Sequence, residues 1–221
     1  MWADSGLLEE AGIVSWAYDG HDAGISLFSA CLKAGAPLDF KPGMRILEVG
    51  CCEEDWLERA AAAWPDCEFV GIDWNAKDAS QGNWARWNGD VRQADLFEPN
   101  SFDAVVSLSA IEHIGLGHYG DPKDEDGDSK AVANIWKWLK PGGQFYFDVP
   151  YNPCGYKVLG TECRIYDDGG VVTRLYRPFN NGGPSMVYTA FSDSKAPGTL
   201  VDRPKVPASR YYYVAMLWRK A

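Results

Sequence analysis

Four stretches of the chain have the hydrophobic pattern of strands: MRILEVG (44–50), CEFVGIDW (67–74), FDAVVSLS (102–109) and QFYFDVP (144–150). Three of them are continuous apolar runs instead of strict alternations, as expected of strands covered on both faces. Between the first two, DWLERAAAAWP is rich in Ala, Leu, Glu and Arg and stops at Pro65, which predicts a helix over 55–63. Ahead of the fourth, SKAVANIWKWLKPGG spaces Val132, Ile135, Trp136 and Leu139 along one helical face. Ser129 or Asp128 can cap that helix, and Pro141, Gly142 and Gly143 stop it. Strands alternating with helices predict an α/β, doubly wound, mostly parallel sheet with helices on both faces.

Elsewhere the pattern is weaker. Residues 75–93 support a short helix around Trp84 and a strand ending near Asp90 or Asp95. From Tyr151 the texture turns to Gly, Pro, Asn and Tyr, with strand-like pieces TECRIY, GGVVTRLY and SRYYYVAMLWRK, and Tyr211, Tyr212 and Tyr213 read as part of a late strand. Near the N-terminus, DAGISLFSACLKAGA predicts a helix that caps a ligand pocket, with SWAYDG and HDAG supplying aromatic and polar groups. The expected organisation is one domain: a cap segment over 1–43, a ligand-binding core over 44–150, and late strands with substrate-side insertions over 151–221.

Charge narrows the functional classes. With 21 Lys and Arg against 31 Asp and Glu in 221 residues, the net charge is −10, which disfavours a nucleic-acid partner. No apolar run reaches the ~18 residues of a membrane span and no signal core follows a basic start, so a cytoplasmic protein without membrane partner is expected. Six cysteines lack CxxC or HxxxH companions, which argues against a zinc site or a disulfide framework and for thiols in a reducing compartment. Adjacent Cys51 and Cys52 form a redox pair only as a minor alternative to thiols lining a turn.

In an open parallel sheet, ligands bind beyond the carboxyl ends of the strands, so the residues that follow each strand carry the chemistry. Asp73 ends the second strand, where a carboxylate can accept hydrogen bonds from both ribose hydroxyls. A dinucleotide needs GxGxxG at the first turn so that pyrophosphate can approach backbone N–H groups. Here that turn reads GCCEED. Glu53 and Glu54 would repel phosphate, whereas a ligand presenting an ammonium and a sulfonium has the opposite preference.

These segments resemble the class I SAM-dependent methyltransferase superfamily, which binds S-adenosyl-L-methionine (SAM) on a Rossmann-like sheet. ILEVGC stands for its first motif, GID for the second, NGDVRQADLFEPNSFDAVVS for the third and fourth strands, SAIEHI for the segment after strand four, and WLKPGGQFYF for the following helix and strand. EHIGLGHYGDP looks like a poorly characterised branch of the same superfamily. The resemblance implies that Glu48 and Gly50 border the methionine moiety, with Cys51 and Cys52 on the same turn. It implies that Asp73, beside Trp74, holds the ribose, and that Asp90 with Val91 meets the adenine edge, a role for which Asp95 competes. Ser109 would lie at the reactive side. Cys52 and Glu54 depart from the superfamily's pattern, standing where further glycines are usual.

The long segment 115–128 has the position of a lid or binding loop and contains His118, Tyr119, Asp121, Asp124, Asp126 and Asp128. As a calcium loop it fails, because alignment on Gly127 puts Pro122 and Ala133 at the first and twelfth positions; a solvated acidic loop is its plain alternative. His113 and His118 are the candidate bases for an acceptor hydroxyl or amine, while His113 with Glu112 has the alternative of orienting the segment after strand four. Trp56, Trp136 and Trp138 are expected in the core; Arg164, Arg174 and Arg177 are candidates to hold an anionic substrate, with solvation as the alternative. Together these readings imply methyl transfer to an O or N nucleophile of a small-molecule or sugar-like acceptor. The alternatives are a catalytically inactive binding or regulatory module and, more weakly, a NAD-dependent oxidoreductase.

Overall fold

The computed structural model describes residues 23–51, 55–177, 179, 183–206 and 211–221. SWAYDG and the first two residues of HDAG fall outside them.

The core is a nine-stranded sheet ordered β10-β9-β11-β6-β5-β1-β2-β4-β3. Its strands are β1 (Arg45–Val49), β2 (Glu68–Asp73), β3 (Ala79–Gln81), β4 (Trp84–Asn88), β5 (Phe102–Ser107), β6 (Leu139–Tyr151), β9 (Ser185–Asp193), β10 (Ala196–Val201) and β11 (Tyr212–Arg219). A separate hairpin pairs β7 (Lys157–Leu159) with β8 (Cys163–Ile165). β1 lies between β2 and β5, parallel to both, with Val49 opposite Ile72 and Ser107. β4 continues the parallel set, with Asn88 opposite Asp73. This register brings four carboxyl ends to one edge, where a ligand can bind. β11 runs antiparallel to both β6 and β9.

Each apolar strand feeds two cores because successive side chains point to opposite faces. Ile46, Ala104, Tyr146 and Leu217 pack on one side with helices α1 (Ala23–Lys33) and α2 (Trp56–Ala63), around Phe28, Trp56 and Phe69. Leu47, Val105, Phe147 and Trp218 pack on the other with α3 (Gly127–Trp138), around Trp138 and Phe102. Trp56 and Trp138 are fully buried and Trp136 nearly so, as expected. The doubly wound, mostly parallel architecture is the one the pattern predicted, with helices on both faces.

Three local expectations fail. The helix before β6 starts at Gly127 after Asp126, ahead of both expected caps, and ends at Trp138, so Leu139 and Pro141 to Gly143 belong to β6. Residues around Trp84 form strand β4, not a helix. WARWN alternates across the sheet: Arg86 reaches back to Glu58 of α2 at 3.2 Å, and Trp87 stacks on Phe97 at 5.8 Å. Pairing on β2 and on β3 overrides a locally ambiguous sequence. GGVVTRLY is not a strand either. It forms a helical turn α4 (Asp168–Gly170), opened by an Asp167 side chain that accepts from the Gly170 N–H at 2.6 Å, and continues as π-helical turns over Val171–Tyr176.

Candidate functional site

A cleft opens over the carboxyl ends of the parallel strands. Val49 ends β1 and Gly50 follows it, Asp73 ends β2 and Trp74 follows it, Gly89 to Arg92 follow β4, and Leu108 to Ala110 follow β5; His113, Ile114, Tyr119 and Asp121 also line it. Gly50 has φ +94°, and a Cβ there would stand 2.3 Å from the Ala110 Cβ. Only glycine therefore lets the β1 turn pass under the loop after β5.

Of the sequence-predicted cofactor residues, Gly50, Asp73, Trp74, Asp90, Val91 and Ser109 meet in this cleft. Asp73 Oδ1 accepts from the Asn75 N–H at 2.7 Å, which orients the carboxylate at the strand end. Asp90 is held by Arg92 through two side-chain hydrogen bonds of 2.8 and 2.7 Å. Burial opposes ionisation of Asp90, but its bonds to Arg92 outweigh it and hold the carboxyl below the usual range.

Three expected residues are placed elsewhere. Asp95 lies exposed on the turn after β4, away from the cleft, so the Asp90 alternative is the one the chain brings there. Glu48 is buried, 2% exposed, and the strand alternation points it to the face opposite Leu47 and Val49. Cys51 packs its sulfur against Gly71, where an added Cβ would meet it at 2.7 Å, and burial, then the charge of Glu48, pushes its thiol far up. It serves as packing behind the turn, and that inert thiol removes its half of the redox pair. Cys52, Glu53 and Glu54 lie outside the described residues.

The two candidate bases divide. His113 lines the cleft, with Nδ1 hydrogen-bonded to the Glu162 carbonyl at 2.5 Å, and His118 stacks on it at 5.9 Å from outside the lining. Tyr119 packs edge-on against both rings. The loop carrying His118 is tied across the cleft: Asn75 donates to the Tyr119 carbonyl at 3.0 Å and Arg92 to the Pro122 carbonyl at 2.6 Å. Asn75 and Arg92 are lining residues that sequence reasoning missed; the signal available was their place two residues past Asp73 and Asp90.

The acidic loop is built inward more than outward. Asp121 accepts from the Gly115 N–H at 2.7 Å, and Asp124 pairs with Lys130 at 2.7 Å. Asp128 is fully buried, accepting from Arg174 at 2.8 and 2.7 Å and from the Tyr166 hydroxyl at 2.8 Å. Arg164, 1% exposed, donates to the carbonyls of Glu112, Ile114, Asp124 and Glu125 at 2.7 to 3.3 Å. Arg164 and Arg174 thus clamp the two ends of the loop and are not available to an anionic substrate, while Arg177 is exposed. Among the described residues, no group of three or more His, Cys, Asp or Glu is arranged to hold a metal ion.

Under the cleft sits a second acidic centre. Ser109, at φ +47°, donates its hydroxyl to Asp148 Oδ2 at 2.6 Å. Asp148 is fully buried and Glu112 is 2% exposed. Burial, then the charge of Glu112, raises the Asp148 carboxyl to about 7, and burial raises Glu112 to about 8 despite Arg164. Asp148 was legible only as an acid inside the apolar run QFYFDVP.

The donor set suits a nucleoside bearing positive charge. Asp73, Asp90 and Asp121 line the cleft beside apolar Ile72, Val91 and Leu108, and its cation, Arg92, is engaged by Asp90 and Pro122. A pyrophosphate would find repulsion there, whereas a ribose finds the Asp73 carboxylate.

Comparison with known proteins agrees with this geometry. Residues 90–168 match a family described as Caenorhabditis protein of unknown function, DUF268. A 121-residue stretch is 31% identical to sterol 24-C-methyltransferase of Candida albicans, covering 49% of this chain and 28% of that enzyme. The chain thus spans little more than a quarter of the length of that relative. Among solved structures, geranyl diphosphate methyltransferase in complex with SAM superposes at a TM-score of 0.63, with 12% identity, over 95% of this chain and 94% of that one. The 1,6-didemethyltoxoflavin-N1-methyltransferase of Burkholderia thailandensis, with bound 1,6-didemethyltoxoflavin and S-adenosylhomocysteine, superposes at 0.58, with 13% identity, over 98% and 84% of the two chains. The chain thus has the fold of solved SAM-dependent methyltransferases.

Proposed function

We propose that the chain binds SAM in the cleft over β1, β2, β4 and β5 and transfers its methyl group to an O or N nucleophile of a small-molecule or sugar-like acceptor. Asp73 carries this reading: a carboxylate fixed by Asn75 at the end of β2, on a cleft whose cation is already engaged, fits a ribose and disfavours a pyrophosphate. Asp73 would accept from the ribose hydroxyls, and Val91 with Asp90 would flank the adenine. The Gly50 turn would leave room for the methionine end, and Ser109 and His113 would border the transfer position.

When bound, SAM supplies an electrophilic methyl on its sulfonium. The residues of the cleft align the acceptor with that methyl and exclude water, the part of the catalysis that proximity provides. His113 is the better placed of the two histidines to take a proton from the acceptor, since it lines the cleft and His118 does not. A cytoplasmic protein without membrane or nucleic-acid partner belongs to the same proposal. Among the described residues, no helix is long and apolar enough to cross a membrane.

Calorimetric titration of S-adenosylhomocysteine tests the reading. Binding is expected to the wild-type chain and to weaken at least ~tenfold in Asp73→Ala, the effect of losing a charged hydrogen bond. No heat and no thermal shift with the wild-type chain would refute it, and unchanged affinity in the variant would remove the ribose assignment.

A further inference from the structure

Ser109 lines the cleft, and Asp148 lies fully buried behind it. The left-handed backbone of Ser109 is one that non-glycine residues rarely adopt. That conformation holds the hydroxyl 2.6 Å from Asp148 Oδ2, and its own N–H also bonds the carboxylate. The N-terminal end of α1 seals this corner from behind: a Cβ on Gly24 would stand 3.1 Å from the Ser109 Oγ. Asp148 Oδ1 and Glu112 Oε2 are buried and make no hydrogen bond among the described residues. The groups facing Asp148 are Cys31 from α1, Tyr146 on its own strand, Glu112 from the turn after β5 and Tyr213 from β11. Of these, Glu112 is the carboxyl whose charge adds to burial in opposing ionisation of Asp148, and Arg164 favours the charged form of Glu112.

We infer that Asp148, acting through the Ser109 hydroxyl, sets the charge preference of the cleft around Ser109, so that a cationic sulfonium is held more tightly than the neutral thioether left after transfer. The inference rests on the proposed binding of SAM. Its physics is linkage. A carboxyl buried beside a second carboxyl ionises reluctantly, and a cation nearby relieves that reluctance; binding the cation and losing the proton therefore favour each other. The thioether carries no such charge and gains nothing from it. Burial and Glu112 together place the Asp148 transition near 7, so the preference would switch on across neutral pH. Asp148 acts as a positioning residue, and the hydroxyl that touches the ligand belongs to Ser109.

The test compares the dissociation constants of SAM and S-adenosylhomocysteine by calorimetry from about pH 5.5 to 8.5, a range that spans the transition. In the wild-type chain the preference for SAM should rise by about tenfold with pH, one unit of coupling. At pH 7, titrations in buffers of different ionisation enthalpy should show proton release with SAM and none with S-adenosylhomocysteine. Asp148→Asn should bind both ligands with a ratio that no longer depends on pH, and Glu112→Gln should move the transition to lower pH. A flat ratio in the wild-type chain, or a rising one that survives in Asp148→Asn but disappears in His113→Gln, would overturn the inference. Should Asp148→Asn fail to fold, proton release by the wild-type chain decides alone. Failure of both ligands to bind the wild-type chain would instead reject the cofactor reading beneath it.

Discussion

Asp128, in the first turn of α3, and Asp148, in β6, are both fully buried carboxylates, and their surroundings differ in kind. Asp128 is paired with Arg174 and Arg164 and bonded by Tyr166, so its charge and its lone pairs are met. Asp148 has Ser109 as its donor and the carboxyl of Glu112 as its charged neighbour, and one of its oxygens makes no hydrogen bond among the described residues. The first arrangement fixes the loop between β5 and α3 and thereby one wall of the cleft. The second leaves a charge unsettled behind the cleft, which costs stability and gives a ligand something to act on. In this fold, the same residue type builds scaffold where cations come with it and a responsive site where they do not.

The largest effect expected from this contrast is in Arg164→Ala. Removing one member of a buried ion network leaves Asp128 undercompensated and four carbonyls without their donor, a loss of about 3–5 kcal/mol in urea unfolding. Arg164→Lys should recover only part of it, because a single ammonium cannot span carbonyls on both sides of the loop as the guanidinium fork does. Full stability in Arg164→Ala would break the comparison at its scaffold end.

An effect of opposite sign is expected at Asp148. Its carboxyl titrates near 7 in the folded chain, well above the unfolded value of about 4, so between those pH values the folded chain binds more protons than the unfolded one. Stability from this group is therefore complete below about pH 4 and is lost as pH rises through 7. Wild-type unfolding free energy should fall over that window at up to about 1.4 kcal/mol per pH unit per group, and Asp148→Asn should flatten the slope and exceed wild type above pH 7. A slope unchanged in Asp148→Asn would show that the carboxyl ionises as freely as in water.

The difference between the two acids was only half visible in the sequence. Continuous apolar runs gave β1, β2, β5 and most of β6, because strands covered on both faces need nothing but their own composition to be recognised. The acid after β2 and the glycine after β1 were legible for a similar reason, since their roles are local to the strand end. What stayed hidden depends on residues far apart in the chain. Arg164 and Arg174 look like surface cations until β8 and the π-helical turns bring them more than 35 residues back to Asp128. Trp84 reads as helix or strand until β2 and β3 flank it. The proton affinity of Asp148 depends on Glu112, 36 residues away, and on burial from both faces, neither of which leaves a spacing to read.

The smallest predicted effect checks whether burial, and not charge pairing as such, separates the two centres. Lys130 of α3 pairs at 2.7 Å with Asp124 on the loop that Arg164 clamps, but the Lys130 side chain is 55% exposed. An exposed pair gains little over its solvated partners and is screened by salt, so Lys130→Ala should cost no more than about 0.5 kcal/mol. In about 0.5 M salt, where the screening length is only a few ångströms, even that difference should vanish, while the deficit of Arg164→Ala should persist because solvent ions do not reach it. The two variants thus probe one loop at the same acid-rich end, differing chiefly in whether water reaches the cation. A cost of several kcal/mol in Lys130→Ala would mean that the loop is held by its surface charges, and the distinction between a satisfied scaffold and a responsive acid would then have to be redrawn.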